Sequence, residues 1–203
     1  MAVYNASLDG AGASSREGRP FLIAVLAGGE GRRMGGGKPH QALAGRPLIR
    51  HVIDRVQPDF LCGDPADLAR YGLPVCPDPA PGLGPLAGVA AALAYALEQG
   101  RDSVLTVPCD TPFLPQDLAA RFAGVDGPAM ASSGGHEHPS VARWPVEWLD
   151  IVKERLSGSG SRALRPFFLA APRIEWPVGA FDNINTPDDL AAAEARLRTI
   201  ERG

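Results

Sequence analysis

The chain has 203 residues, of which 45% are apolar and 21% are charged, a composition that suits a compact globule and excludes a disordered or fibrous chain. Its 20 basic and 23 acidic residues give a net charge of −3, so bulk charge gives no reason to expect nucleic-acid binding. No apolar run reaches the roughly 18 residues of a membrane helix. The 3 cysteines form no C-x-x-C pair, which favours a reducing, cytoplasmic location.

The beginning of the chain differs in composition from the rest. Residues 1–20 are rich in Gly, Ala and Ser and lack the apolar core of a secretory signal. We therefore expect residues 1–20 to be a disordered tail and residues 21–203 to form a single domain.

Two short, nearly continuous apolar runs predict strands that are buried on both faces. The first extends from Phe21 to Leu26 and the second from Ser103 to Val107, and each stops at a loop rich in Gly or Pro. Between these strands, the apolar spacing predicts helices over residues 48–56, 66–71 and 85–97 and short strands over residues 60–62 and 74–76.

The pattern is looser after Gly124. It predicts strands over residues 128–132, 139–142 and 173–178, and helices over residues 146–156, 161–169 and 187–200. His136 and His138 have no third soft ligand at zinc spacing, so we expect them in a solvated loop. The alternation of strands and helices predicts a three-layer α/β/α fold with a mainly parallel sheet, in which ligands bind beyond the carboxyl ends of the strands.

The loop after the first strand has the character of an anion site. Residues 26–38 read L-A-G-G-E-G-R-R-M-G-G-G-K. Glycines allow backbone N–H groups to point into a shared concavity, whereas a plain flexible turn would not require two arginines and a lysine as well. The segment is neither a Walker A loop nor a dinucleotide fingerprint, because the spacing of its glycines matches neither motif.

Asp110 lies in the loop after the second strand, between Pro108 and Pro112. A carboxylate at the end of a buried strand suits an octahedral Mg²⁺ that also binds phosphate oxygens. An Asp before Thr-Pro can equally be a simple turn former or helix cap. The neighbouring anion loop favours the metal site, since magnesium would offset the charge of the phosphates.

Three further polar residues are candidates for binding substrate. Asp78, between two prolines, could hydrogen-bond a ribose or a base, or could only form a turn. Asn183 and Asn185 alternate in an extended segment, so that both amides would lie on one side. They could contact a ligand or close a turn before the last helix.

Taken together, these motifs resemble those of a known enzyme family. Residues 26–38 resemble the L-A-G-G-x-G-x-R-M-G…K signature of nucleotidyltransferases. The segments G-P-L-A-G at 84–88, P-C-D-T-P at 108–112, H-P at 138–139 and N-I-N-T-P at 183–187 resemble those of the molybdenum cofactor guanylyltransferases. The resemblance implies a Rossmann-like α/β fold and transfer of GMP from GTP to the terminal phosphate of molybdopterin, with Mg²⁺ and release of pyrophosphate. It also implies GTP and molybdopterin as partners, together with upstream and downstream molybdenum cofactor proteins.

The resemblance also assigns roles to individual residues. Leu26, Ala27, Gly28 and Gly29 would bind the nucleotide, Lys38 the triphosphate, and Asp110 the magnesium ion. Asp78 would contact the nucleotide, and the positions that match the pterin side or the reacting phosphates are Arg33, Gly36, Gly84, Asn183 and Asn185. Of these, Arg33, Lys38 and Asp110 are the expected catalytic residues. Two departures from the family pattern stand out, because the loop before Lys38 is one residue shorter than usual and Asp64 stands near the place of a usual Asn.

Two other functions remain open at this point. A related nucleotidyltransferase could use CTP or a sugar phosphate, although the cytidylyltransferase for the same pterin usually carries Ala-Ala-Gly where this chain has Ala27, Gly28 and Gly29. A non-catalytic nucleotide or pterin carrier is the second alternative, and the presence of Lys38 and Asp110 argues against it.

Overall fold

A computed structural model of the chain describes residues 18–28, 38–80 and 82–200. The helices are α1 (Leu48–Val56), α2 (Pro65–Leu68), α3 (Pro85–Glu98), α4 (Leu118–Ala123), α5 (Leu149–Ser157) and α6 (Pro187–Ile200). The strands are β1 (Leu22–Leu26), β2 (Ala42–Leu43), β3 (Arg46–Pro47), β4 (Phe60–Cys62), β5 (Val75–Cys76), β6 (Ser103–Pro108), β7 (Ala129–Ser133), β8 (His136–Pro145) and β9 (Arg173–Trp176).

Within the described residues, the main sheet has seven strands in the order β5-β4-β1-β6-β8-β7-β9. The pairs β5–β4, β4–β1, β1–β6 and β7–β9 are parallel, and β8 runs antiparallel to both β6 and β7. The carboxyl ends of the other six strands therefore share one edge of the sheet with the beginning of β8. We call this edge the rim.

Helices cover both faces of the sheet, which confirms the predicted three-layer α/β/α architecture. Side chains of α1 and α4, including Val52 and Phe122, pack on one face. Side chains of α3 and α5, including Leu93 and Val152, pack on the other. The short hairpin β2–β3 and α6 enclose a small third cluster around Phe113 and Ile184. Burial on both faces explains why β1 and β6 read as nearly continuous apolar runs.

The secondary-structure predictions differ from the structure in several places. Short elements were not predicted at 42–47 and 118–123, where β2–β3 and α4 form. The predicted helix over residues 161–169 is wrong: Ser161 accepts a hydrogen bond from the amide of Ala163, and only a 3-10 turn from Arg165 to Phe168 follows. Pro166 has no N–H to continue an α-helical ladder from the preceding turn.

The chain enters the domain beside the first strand. Arg19 forms an ion pair with Asp59 at 3.1 Å, and Asp59 also accepts a hydrogen bond from the amide of Ile23 at 2.7 Å. The rest of the expected tail, residues 1–17, lies outside the described residues. Among those that are described, no helix combines the length and the apolar character needed to cross a membrane.

Candidate active site

The two loops singled out in the sequence begin side by side on the rim. The backbone amide of Cys109 donates to the carbonyl oxygen of Leu26 at 3.1 Å, and the amide of Ala27 donates to the carbonyl oxygen of Cys62 at 2.8 Å. These bonds extend the pairing of β1 with β6 and β4 past the ends of the strands. They place Asp110 one residue beyond a direct contact with the start of the glycine-rich loop.

Part of the glycine-rich loop lies outside the described residues. Gly29, Arg33 and Gly36 belong to that part. The backbone of Lys38 begins a short 3-10 helix that ends at His40. The Nδ1 atom of His40 lies 2.8 Å from the hydroxyl of Tyr71, and the two rings are stacked. The end of the loop is thereby attached to the segment between β4 and β5.

Asp78 forms the turn that its sequence context allowed, and its other carboxylate oxygen faces the glycine-rich loop. Its Oδ1 atom accepts a hydrogen bond from the amide of Ala80 at 2.9 Å, which is the turn-forming contact. Its Oδ2 atom faces Gly28, where an added Cβ would lie only 3.0 Å away. Asp78 therefore holds its own loop and faces Gly28 at the same time.

Gly63 is a site residue for which the sequence pattern gave no role. A Cβ on Gly63 would lie 3.2 Å from the carbonyl carbon of Ala27 and 3.3 Å from the nitrogen of Gly28, and the φ angle of Gly63 is +156°. The neighbouring Asp64 caps α2 by accepting a bond from the amide of Ala66. The Asp64 side chain therefore binds within its own segment. Gly63 is the residue that lies against the start of the glycine-rich loop. Its position directly after a buried strand was the available signal.

Gly84 and the first turn of α3 form another part of the rim. Gly84 has a φ angle of +81° and immediately precedes Pro85, the first residue of the helix. The first turn contains no acidic side chain. The N-terminal end of a helix carries a partial positive charge, so α3 adds to the attraction of this side of the rim for anions.

Asp110 and Asn183 are brought together through Thr111. The fully buried hydroxyl of Thr111 lies 3.4 Å from Oδ1 of Asp110 and 3.2 Å from Oδ1 of Asn183. The amide of Ile184 also donates to the backbone carbonyl of Asp110 at 2.9 Å. Asn185 lies two residues further on, and its backbone N–H donates to the Asp189 carboxylate in the first turn of α6. The loop after β6 and the segment before α6 therefore form one oxygen-rich cluster.

The prediction that His136 and His138 lie in a loop is wrong, although His136 is exposed to solvent as expected. Both residues are in β8, and His138 is half-buried. Its Nε2 atom lies 2.8 Å from the hydroxyl of Ser133, and its ring packs against Phe181 with centroids 4.8 Å apart. Burial lowers the pKa of His138, and the nearby His136 lowers it further. The imidazole is therefore neutral at about pH 7.

The three cysteines are free and buried. Cys62 and Cys76 lie opposite each other on the neighbouring strands β4 and β5. Burial raises the pKa of the Cys62 thiol, and its neighbour Cys76 adds to the effect.

A cavity of about 1340 Å³ lies against α3 and includes Cys76, Tyr95 and Lys153 in its lining. None of the predicted site residues lines this cavity, so we base the site on the loops of the rim.

Comparison with known proteins shows which family the chain resembles. A sequence model of the MobA-like NTP transferase domain matches residues 23–171. A molybdenum cofactor guanylyltransferase of Cereibacter sphaeroides is 44% identical over 191 residues, covering 86% of this chain and 95% of that protein. One from Rhodopseudomonas palustris (strain BisB5) is 44% identical over 190 residues, covering 84% of this chain and 90% of that protein.

Solved structures show the same fold. The crystal structure of molybdopterin-guanine dinucleotide biosynthesis protein A from Archaeoglobus fulgidus is similar with a TM-score of 0.69 at 26% identity, covering 87% of this chain and 98% of that chain. The fold and the relatives define this protein as a nucleotidyltransferase. More closely, the chain belongs to the MobA-like NTP transferase family.

Proposed function

We propose that this protein transfers GMP from GTP to the terminal phosphate of molybdopterin, giving molybdopterin guanine dinucleotide and pyrophosphate. The relatives that are 44% identical over most of the chain are named for this activity. The observation that carries the proposal is the hydrogen bond from Cys109 to Leu26. It supports a site in which the loop holding Asp110 and the loop of the nucleotide-binding signature act on the same phosphates.

The order of the strands suggests how the two substrates share the rim. The half formed by β1, β4 and β5 carries Leu26, Ala27, Gly28 and Asp78, with Gly84 beside it, and we assign GTP to this half. Gly29 and Lys38 would complete the triphosphate site. The half formed by β8, β7 and β9 is left for molybdopterin, so that the reacting phosphates meet near β6 and Asp110. Arg33, Asn183 and Asn185 would hold these phosphates.

The residues at this meeting point fit a magnesium ion. Mg²⁺ prefers oxygen ligands and is commonly held by one or two carboxylates together with substrate phosphates. Asp110 and Asn183 present oxygen atoms on either side of the Thr111 hydroxyl, whereas the described residues contain no group of three or more His, Cys, Asp or Glu side chains arranged for a metal. This donor set suits an ion shared with the substrate, with Asp110 as its protein ligand. When bound, Mg²⁺ supplies positive charge that offsets the phosphates.

The proposed reaction requires positioning more than proton transfer. A phosphate monoester has a second pKa of about 6 and is already ionised at neutral pH, so its oxygen can attack without a general base. That oxygen forms a bond to the α-phosphorus of GTP, the bond from the α-phosphorus to the bridging oxygen breaks, and pyrophosphate leaves with the electron pair. The task of Arg33, Lys38 and the loop amides is to hold two anions together in line.

The direct test is to incubate the protein with Mg²⁺, molybdopterin and each nucleoside triphosphate in turn, and to identify products by mass spectrometry. We expect a guanine dinucleotide and pyrophosphate with GTP. A cytosine dinucleotide would instead show a cytidylyltransferase, and binding without pyrophosphate release would show a carrier. We further propose that the reaction takes place in the cytoplasm, where buried thiols stay reduced, alongside the proteins that supply molybdopterin and receive the product.

A further inference from the structure

His138 owes its position to an irregularity in β8. Met130 of β7 pairs with Ala142 of β8, but the next residue, Ala131, pairs with His138. Residues 139–141 of β8 therefore have no counterpart on β7 and form a bulge. A bulge turns the local direction of a strand and re-aims its side chains. Here it lies at the rim, on the half that the proposed function leaves for the acceptor.

The contacts of His138 leave one ring nitrogen available. Nε2 lies 2.8 Å from the hydroxyl of Ser133, and the ring is fixed by Phe181, which itself packs edge-on against Trp176 at 5.3 Å between centroids. Within the part of the chain that the structure describes, Nδ1 of His138 has no hydrogen-bond partner. A neutral, oriented imidazole with one open nitrogen can accept or donate a single hydrogen bond to a ligand.

The charges around His138 indicate which part of an acceptor it can meet. The carboxylates of Glu175 and Asp182 both interact electrostatically with the imidazole and raise its pKa, whereas the neighbouring His136 lowers it. Glu175 accepts a hydrogen bond from Ser132, which lowers the pKa of that carboxyl, and the amides of Gly135 and Gly134 add to the effect. Arg196 pairs with Asp182 at 3.5 Å and offsets part of its charge, so Glu175 is the main carboxylate that repels a phosphate and attracts N–H donors here. This part of the rim therefore suits a heterocycle better than a phosphate.

We infer that His138 binds the pterin ring of the acceptor, an inference that rests on the proposed function. In this arrangement the ring, which is rich in N–H groups, lies over Ser133 and His138. The phosphate of molybdopterin then extends toward Asp110, away from the carboxylates of Glu175 and Asp182. His138 is a binding residue that selects the acceptor, and it makes no contact with GTP.

The experiment compares His138→Gln with the wild type and with His136→Gln as a matched control on the same strand. Assays are run at about pH 8, where an ordinary imidazole is neutral. Steady-state kinetics give KM for molybdopterin and for GTP separately, and equilibrium dialysis gives Kd for molybdopterin without turnover. A simple 2-amino-4-oxopteridine without phosphate is added as a competitor of the transfer reaction.

For His138→Gln, we expect KM and Kd for molybdopterin to rise about tenfold, the effect of one lost hydrogen bond of about 1.4 kcal/mol. KM for GTP and the melting temperature should stay at their wild-type values, and His136→Gln should behave as the wild type. The free pteridine should compete with molybdopterin in the wild type. In His138→Gln, its inhibition constant should rise by about the same factor as Kd for molybdopterin. Ser133→Ala, which removes the partner of Nε2, should give a smaller rise in the same constants.

An unchanged Kd for molybdopterin in His138→Gln, or an equal rise in both KM values, would overturn the inference. If His138→Gln fails to fold, an unaltered acceptor affinity in Ser133→Ala overturns it instead. A wild-type protein that makes no guanine dinucleotide would contradict the proposed function itself. The two failures are therefore distinguishable from the wild-type assay alone.

Discussion

Gly28 faces Asp78 so closely that a Cβ atom on Gly28 would lie 3.0 Å from the Oδ2 atom. Replacing Gly28 by Ala should push the carboxylate aside and narrow the space above the first loop. We expect Gly28→Ala to raise Kd for GTP about tenfold, measured by isothermal titration calorimetry, with little change in stability.

Gly160→Ala is the control for this substitution, because a Cβ on Gly160 would meet no atom within 4 Å. Its GTP affinity should equal that of the wild type. If Gly28→Ala binds GTP as tightly as the wild type does, the carboxylate of Asp78 can move without weakening GTP binding.

Gly63 should be less tolerant, because an added Cβ would lie 2.8 Å from Cδ1 of Leu68 and also 3.2 and 3.3 Å from backbone atoms of Ala27 and Gly28. Backbone that is held by the hydrogen bond of Ala27 to Cys62 yields less readily than a carboxylate side chain. We expect Gly63→Ala to lower the free energy of unfolding by about 2 kcal/mol in urea denaturation, and to weaken GTP binding as well.

Gly72 provides the comparison for backbone strain alone. It has a φ angle of +73° and nothing within 4 Å of an added Cβ. Gly72→Ala should cost only about 1 kcal/mol. If the two variants lose the same stability, the contact of Gly63 with the first loop has no energetic importance.

Asp110→Asn should stop transfer while leaving the fold intact. Loss of the carboxylate removes the proposed ligand of magnesium, and we expect kcat to fall about 100-fold or more. Chelation of Mg²⁺ should have the same effect on the wild type. Asp126→Asn, an exposed change in the loop before β7, is the control and should retain full activity. Normal turnover by Asp110→Asn would refute the metal site.

Thr111→Val tests whether the link between Asp110 and Asn183 matters for turnover. The variant keeps the shape of the side chain but removes the hydroxyl that lies near both oxygens. Misplaced catalytic oxygens should lower kcat about tenfold.

Thr106→Val is the matched control, since Thr106 is also fully buried on the same stretch of chain. Its hydroxyl donates to the carbonyl oxygen of Ser140 and accepts from Trp144, each at 3.0 Å. Both substitutions should cost roughly 1–3 kcal/mol of stability, but Thr106→Val should keep the wild-type kcat per folded molecule. An equal loss of kcat in both would point to a general packing effect.

His138 should make the protein less stable as the pH falls. Burial lowers its pKa in the folded state, so below about pH 6.5 the unfolded chain binds the proton more readily. The stability contributed by the neutral ring is present above that pH and is lost below it. In urea denaturation at several pH values, His138→Gln should flatten this part of the curve of unfolding free energy against pH.

His136→Gln should bring the NMR titration of His138 closer to that of an ordinary histidine. An unchanged titration would contradict the assigned repulsion.

The sequence was most informative where local composition decides the structure. The apolar runs that end at Leu26 and Val107 predicted β1 and β6, because a strand covered on both faces needs no polar residues. The helix predicted from Pro85 begins at that residue in the structure, because proline suits the first position of a helix. The loops that follow the two strands could therefore be assigned to one rim before any contact was known.

The features that were missed depend on pairing between distant segments. The bulge that re-aims His138 results from the register of β8 against β7, and nothing in the local sequence reports that register. The role of Gly63 depends on the approach of β1, nearly 40 residues earlier in the chain. Helix α4 has only six residues, too few to show a clear helical period.

The reversed direction of β8 has a consequence for how such enzymes diversify. Because β7 and β8 are antiparallel, the chain turns at the rim through Gly134 and Gly135, without a crossover helix. Insertions or replacements in this short turn would reshape the side proposed for the acceptor while the layered scaffold and the side proposed for the nucleotide stay untouched. Redesign toward a new acceptor should therefore begin at this turn.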